Sequence, residues 1–341
     1  MVSANPHARR IAGDPAWLPH RYDETRDEIR FVRAPREAHR AATFLTDEYL
    51  PGVATPEVLG RAEALAEAAP AGGVHFIFHS AYCCSTLLAR AFDIEGVAMG
   101  LKEPQILNDL HGWRGRGGQP ARVAEVLDGA MRLLARPFAP GEAIVVKPSN
   151  LVNAFAPAML AMRPEAGALL LYAPLRLYLA SIAKKGMWGR LWVRELFVKI
   201  ARDGMLDYGF SPEEIMRQTD LQIAAIGWLG QHRQFAQLAS RLGPGRVRTL
   251  DSERLIARPA EALAALGVLF GLALDAAAVA VGPAFTRHSK DGAAFGAEAR
   301  QAEQLEAAAV HADEVDKVAV WAEAVAAAAG QSLDLPAPLL G

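Results

Sequence analysis

The chain has 341 residues, 52% of them hydrophobic, and a formal net charge of −2. That is enough apolar material for one large domain with appendages. The near-neutral balance argues against broad nucleic-acid binding, which needs a basic surface to displace counterions. Lysine and arginine are unevenly placed, at 184–194 and 287–290 for example, so any anion site is local.

In chain order, residues 1–50 are mixed and polar. The first thirty carry Arg9, Arg10, Asp14, Asp23, Glu24 and Arg26 with no apolar run, so no secretory leader is expected. Alternation over 28–33 predicts a short edge strand. The Ala-, Leu- and Glu-rich stretch 56–69 predicts a helix, broken by Pro70, Gly72 and Gly73. Residues 74–78 read as a buried strand, 79–84 as a tight polar turn, and a helix starts at Ser85 with Leu87, Leu88, Ala91 and Phe92 on one side. The stretch 111–120 reads as a flexible loop that could cover a site.

Further short apolar runs at 143–146, 168–172 and 246–250 predict strands, separated by helical patterns at 123–134, 153–162, 176–183 and 220–241. Buried strands alternating with helices indicate an α/β fold with a mostly parallel sheet covered on both faces. Residues 259–272 and 298–329 read as helix. The longest apolar stretch, 262–274, falls short of the roughly 20 residues a membrane helix needs, so no membrane insertion is expected.

The only cysteines, Cys83 and Cys84, are adjacent, a geometry that disfavours a disulfide between them. A reducing, cytoplasmic compartment is expected. The nine histidines are scattered, with no His-x-x-x-His or Cys-x-x-Cys spacing, so no metal is expected. No nucleophile elbow with a Ser-His-Asp set is visible.

The turn after the first central strand carries the chemistry. It reads His79-Ser80-Ala81-Tyr82-Cys83-Cys84-Ser85-Thr86. A strand-to-helix turn offers outward backbone N–H groups and the positive end of a helix, which together suit an anion. The small side chains of Ser80, Ala81, Cys83 and Cys84 let a phosphate approach the backbone, and Ser85 and Thr86 add hydroxyls. The plainer alternative is that Ser85 only caps a helix. The turn is not a Walker A loop, because Cys84 and Ser85 stand where that motif has Gly and Lys.

The run HSAYCCSTLLARAF resembles the 5′-phosphosulfate loop of the P-loop sulfotransferase superfamily, Gly-x-x-(Arg/Lys)-Ser-Gly-Thr-Thr-Leu-Leu. Ser85, Thr86, Leu87 and Leu88 match its end. His79 and Cys84 replace the glycines, and Tyr82 replaces the basic residue. Lys102-Glu103-Pro104, IVVKPSN around Lys147, LLLYAPLRLYLASIAKKG, VRTLDSERLIARP and FTRHSK (285–290) resemble later segments of that superfamily in the same order. The resemblance spans about residues 74–290.

The resemblance implies a P-loop three-layer sandwich over 74–295, with an N-terminal extension (1–73) and a helical C-terminal tail (296–341). It also implies a nucleotide donor, 3′-phosphoadenosine-5′-phosphosulfate (PAPS), and a small-molecule hydroxyl or amine acceptor. Glu103 would be the base and Lys147 a ligand of the transferring group. Lys102 would pair with Glu103 or be solvated, and His79 would bind an anion, act as a base or be structural. Ser80 to Thr86, Arg176, Ser181, Arg287 and Lys290 would contact the donor.

Two departures bear on the donor. Tyr82 stands where the superfamily has a loop base, and Ala173, or Tyr172 if the proline is aligned instead, stands where it has the first arginine for the 3′-phosphate. The stretch 184–194, with Lys184, Lys185, Arg190 and Arg194 around Trp188 and Trp192, is either a lid that replaces these charges or an amphipathic helix with a buried Trp pair and solvated charges. Three readings follow: a sulfotransferase, a P-loop phosphotransferase or other nucleotide-using transferase, and a non-catalytic nucleotide-binding module.

Overall fold

Short, mostly apolar and buried runs form the strands that organise the chain. The structure is a computed structural model that describes residues 5–50, 55–286 and 297–341. The chain divides into two compact units, one of Met1–Ile77, Thr86–Gly167 and Phe270–Leu274, the other of Phe78–Ser85, Ala168–Leu269 and Asp275–Gly341.

The first unit opens with helix α1 (Pro6–Ala12), capped by the Asn5 side chain. Its C-terminal carbonyls are satisfied by the buried Arg136, which donates to the carbonyls of Ile11, Ala12, Asp14, Trp17 and Leu133. Strands β1 (Trp17–Asp23) and β2 (Glu28–Arg33) follow, then α2 (Arg36–Ala41), β3 (Glu57–Gly60) and α3 (Arg61–Ala66). The three strands form an antiparallel sheet in the order β1-β2-β3.

Two sequence expectations are corrected here. The 28–33 strand is the middle strand of its sheet, not an edge, because Ile29 lies between Tyr22 and Leu59. The stretch 56–69 is helical only from Arg61, since Val58 and Leu59 pair with β2 and long-range pairing overrides local helix preference.

Next along the chain come β4 (Val74–His79), whose residues to Ile77 belong to this unit, and α4 (Ser85–Ala91), which belongs to it from Thr86, then β5 (Ala98–Lys102), α5 (Gln105–Gly115), α6 (Pro120–Leu134), β6 (Ala143–Lys147) and α7 (Ala156–Met162). The expected 111–120 loop is corrected. Residues up to Gly115 are helix, held by a buried face of Ile106, Leu107, Leu110 and His111, and only 116–119 link α5 to α6. The expected 153–162 helix begins as a 3-10 turn and becomes α-helical at Ala156. Pro157 then sits at a first-turn position, where its missing N–H costs nothing.

The second unit holds β7 (Ala168–Tyr172), α8 (Leu175–Lys184), α9 (Gly186–Arg202), α10 (Pro212–Arg217), α11 (Asp220–Leu242) and β8 (Val247–Asp251). It then runs through α12 (Ser252–Ala257), α13 (Pro259–Phe270), α14 (Ala276–Ala280), α15 (Pro283–Thr286) and α16 (Ala297–Ala328). A capping box of Thr219 and Gln222 starts α11. The last residues lie along β8: Thr249 N–H donates to Ala337 O, and Leu339 N–H donates to Thr249 O. Arg248, Arg254 and Arg258 hold the carbonyls of Pro338, Leu340 and Gly341.

The central sheet has five strands in the order β5-β6-β4-β7-β8. The pairings of β4 with β6, β5 with β6 and β7 with β8 are parallel. The chain steps outward from β4 to β5, returns to β6 beside β4, and takes up β7 on the other side. Such a reversal of strand order is where open α/β sheets bind ligands, at the carboxyl ends of the strands.

Candidate functional site

Within the first unit the site is built on strand ends. Parallel register places Lys102, the last residue of β5, beside Lys147, the last residue of β6. Lys147 is 1% exposed, and a buried ammonium needs partners. Among the described residues, it donates to the Glu103 carboxylate, it lies 3.4 Å from Thr86 Oγ1, and it sits 5.0 Å from the centre of the Phe44 ring. The Glu103 side chain is 19% exposed, so the carboxylate is the water-facing member of the ion pair.

Glu103 also has a left-handed backbone, φ 52°, and its N–H donates to Lys147 O at 2.7 Å. A non-glycine residue there carries strain of the kind found at functional sites. The cluster therefore joins the start of α4 (Thr86), the residue after β5 (Glu103) and the end of β6 (Lys147).

Sequence reasoning missed the aromatic side of this cluster. Leu45 N–H donates to Lys102 O at 2.7 Å and Gln105 N–H donates to Leu45 O at 3.0 Å, so a strap of chain crosses the end of β5. It brings Phe44 over Lys147. It also brings Tyr49 edge-on to Phe44, with ring centres 5.2 Å apart. Burial raises the Tyr49 phenol above its usual range, with the charges of Glu48 and Glu103 acting in the same direction. No local pattern announces this strap, since its bonds are long-range.

Lys102 does not join the cluster. The two sequence alternatives, pairing with Glu103 and solvation, are both corrected: it is buried, and its Nζ donates to His39 O at 2.5 Å and Arg40 O at 3.4 Å. Burial, aided by the nearby charge of Arg90, lowers Lys102 to about 7. The adjacent His39 ring is pushed down to about 3, first by burial and then by Lys102.

In the second unit, the turn after β4 is tightly tied. His79 Nδ1 accepts from Ala81 N–H at 3.1 Å. Ser80 N–H donates to Leu171 O, and Ser80 Oγ accepts from Ala173 N–H, both at 3.1 Å. Ala81, Tyr82 and Cys84 have φ of 70°, 53° and 60°. Glycine would hold such angles at lower cost, so Cys84 adopts the backbone for which the resembled loop uses glycine. Cys83 is buried and Cys84 half-buried, and neither is in a disulfide.

The Tyr82 ring lies edge-on to Tyr178 and Trp192, 6.0 and 5.5 Å between centres, and burial pushes its phenol up to about 12. Ser85 is buried and begins α4, so the turn leads directly into Thr86.

The remaining expected contacts are placed as follows. Ala173 has both backbone groups engaged, its N–H by Ser80 and its carbonyl by Trp228 Nε1 at 2.9 Å. Arg176 is ion-paired with Asp316 and Glu323. Ser181 donates to Leu177 O at 2.8 Å within α8. The stretch 184–194 is the end of α8 and the start of α9.

Of the helix alternative for that stretch, two details are corrected. Trp188 is 61% exposed rather than core. Arg190 and Arg194 are not simply solvated, because Arg190 makes two bonds to Glu314 and Arg194 pairs with Asp220. Arg287 and Lys290 lie outside the described residues. Among the described residues, no group of three His, Cys, Asp or Glu side chains is placed to hold a metal ion.

No protein-family model matches this chain, and no curated protein matches it. A search of solved structures returns a sulfotransferase domain from the curacin biosynthetic pathway, 14% identical with a TM-score of 0.42, over 67% of this chain and 85% of that one. It also returns the sulfotransferase domain of the Synechococcus PCC 7002 olefin synthase, 11% identical with a TM-score of 0.42, over 68% of this chain and 84% of that one.

Proposed function

We propose that this chain is a transferase of the sulfotransferase type, moving a sulfuryl group from an adenosine phosphosulfate donor to a hydroxyl or amine of a small molecule. The observation that carries the reading is the buried Lys147 ammonium at a strand end, held between the water-facing Glu103 carboxylate and the Thr86 hydroxyl. A cation with so little exposure is hard to explain as surface decoration, and removing it from water is costly without a role or a partner. Group transfer needs a base for the acceptor and positive charge near the peripheral oxygens of the moving group.

The residues present fit the phosphosulfate end of the donor. Lys147 and Thr86 supply a cation and a hydroxyl. When bound, the donor supplies an activated sulfuryl group. Glu103 takes the acceptor proton at its carboxylate, Lys147 holds positive charge beside it, and Phe44 limits where the ammonium can move.

The 3′-phosphate end fits less well. Ala173 has no charge to offer, and the Arg176 guanidinium is already engaged by Asp316 and Glu323. That observation favours a second reading, a P-loop phosphotransferase or another nucleotide-using transferase with no need of a 3′-phosphate clamp.

A thermal-shift titration separates the two, using 3′,5′-adenosine bisphosphate, ADP, ATP with and without magnesium, and sulfate. Selective stabilisation by the bisphosphate is expected for the sulfotransferase reading. Magnesium-dependent stabilisation by ATP would replace it with the phosphotransferase reading, and no response to any nucleotide would overturn both.

A further inference from the structure

Helix α9 is apolar on two opposite sides. Gly189, Val193, Leu196 and Ile200 are buried, and the helix packs on α11. Met187, Leu191 and Val198 take three of the four positions two residues earlier, about 200° around the helix, and the fourth is Arg194, which pairs with Asp220. They are 71%, 56% and 50% exposed, and Trp188 beside them is 61% exposed. A surface helix normally shows one apolar stripe, so a second one marks a face that meets something other than water.

The charges around this face choose between occupants. Lys185 precedes the helix, and Lys199 and Arg202 lie in its last turns, all exposed. Glu195 is the one exposed acid within α9 itself. Exposed Met, Leu, Val and Trp flanked by lysine and arginine is the composition of a helix lying in the plane of an anionic bilayer surface. Tryptophan favours the headgroup level, and each basic residue near such a surface adds attraction. A protein partner would be expected to meet the apolar stripe without needing cations at both ends.

We propose that the outward face of α9 docks the protein on anionic lipid surfaces, with Met187, Trp188, Leu191 and Val198 in the headgroup layer and Lys185, Lys199 and Arg202 on lipid phosphates. No residue crosses the bilayer in this arrangement. The same helix borders the turn after β4: Trp188 stacks on Trp192, with ring centres 6.4 Å apart, and Trp192 meets Tyr82. A docked α9 therefore presents that turn toward material arriving from the lipid surface. The docking does not depend on which group is transferred.

The test is co-sedimentation of the full chain with phosphatidylcholine vesicles and with vesicles of mixed phosphatidylcholine and phosphatidylglycerol, alongside light scattering of the protein alone. Binding to the mixed vesicles is expected, weaker at high salt, with a blue-shifted tryptophan emission. Trp188→Ser with Leu191→Ser lowers the bound fraction by about tenfold or more, as loss of buried apolar area predicts. These side chains are exposed, so the thermal midpoint of that variant stays at the wild-type value. Lys185→Gln with Lys199→Gln weakens binding mainly at low salt.

Absence of vesicle binding overturns the proposal. So does binding that the Trp188/Leu191 variant retains in full. A concentration-dependent dimer that the same variant abolishes overturns it as well, because the face would then belong to a second copy of the chain.

Discussion

The Lys147–Glu103 pair is asymmetric, and the asymmetry can be measured. The ammonium is 1% exposed and the carboxylate 19% exposed. In Glu103→Ala the cation stays buried without its counter-charge. Breaking a buried pair in this way costs about 3–5 kcal/mol. Thr86 at 3.4 Å and the Phe44 ring at 5.0 Å remain beside it and offset about 1 kcal/mol. The expected loss is therefore about 2–4 kcal/mol.

In Lys147→Met the buried charge itself is gone, the methionine fills most of its volume, and the carboxylate can turn to water. That variant is expected to lose only about 1 kcal/mol. The double variant should be more stable than Glu103→Ala alone, since it removes the stranded charge.

Urea unfolding followed by tryptophan fluorescence reads this directly, with midpoints separated by about 1 M for a difference of 2–3 kcal/mol. If Lys147→Met is as damaging as Glu103→Ala, or if the double variant is the least stable of the three, the ammonium is not held as a buried charge. The catalytic reading then loses its main support.

Two further outcomes are expected. Burial lowers Lys102 to about 7, so between about pH 7 and about pH 10 the unfolded chain binds the proton that the folded chain has released. Its cost is full below that window, and stability rises with pH through it. The stability difference between wild type and Lys102→Met should grow in favour of wild type from pH 7 to pH 10. Parallel pH curves would exclude the assignment. Arg136→Ala removes the donor to five carbonyls and should cost about 3–5 kcal/mol. Hydrogen exchange should accelerate in residues 11–17, and unchanged protection there would show that Arg136 is not what ties the chain's start.

The central strands were legible because they are buried on both faces and so read as unbroken runs, 74–78 and 168–172 above all. β5 was not, and the reason is physical. Its sequence Ala-Met-Gly-Leu-Lys lacks β-branched residues. Gly100 looks like a breaker, yet a Cβ there would fall 1.9 Å from Ala89 O of α4. The residue that hides the strand is the one that lets α4 approach it.

Lys147, Glu103 and Thr86 were named from sequence, and the structure brings those three together. Phe44 and Tyr49 were not named, because only the long-range bonds of Leu45 bring them to the cluster. The donor contacts expected at Arg176 could not be judged from sequence either. The acids that engage it, Asp316 and Glu323, lie 140 and 147 positions away.

The C-terminal residues along β8 have a consequence for solubility. A sheet ending in an open strand offers unpaired backbone groups on which another chain can grow. Here Ala337 and Leu339 occupy those groups at Thr249, and three arginines clamp the carbonyls that follow. The last six residues thus act as a stopper against edge-to-edge assembly. A version of the chain ending before Pro336 would expose a template strand in the second unit, and would be prone to clump even where its fold and its Lys147 cluster were untouched.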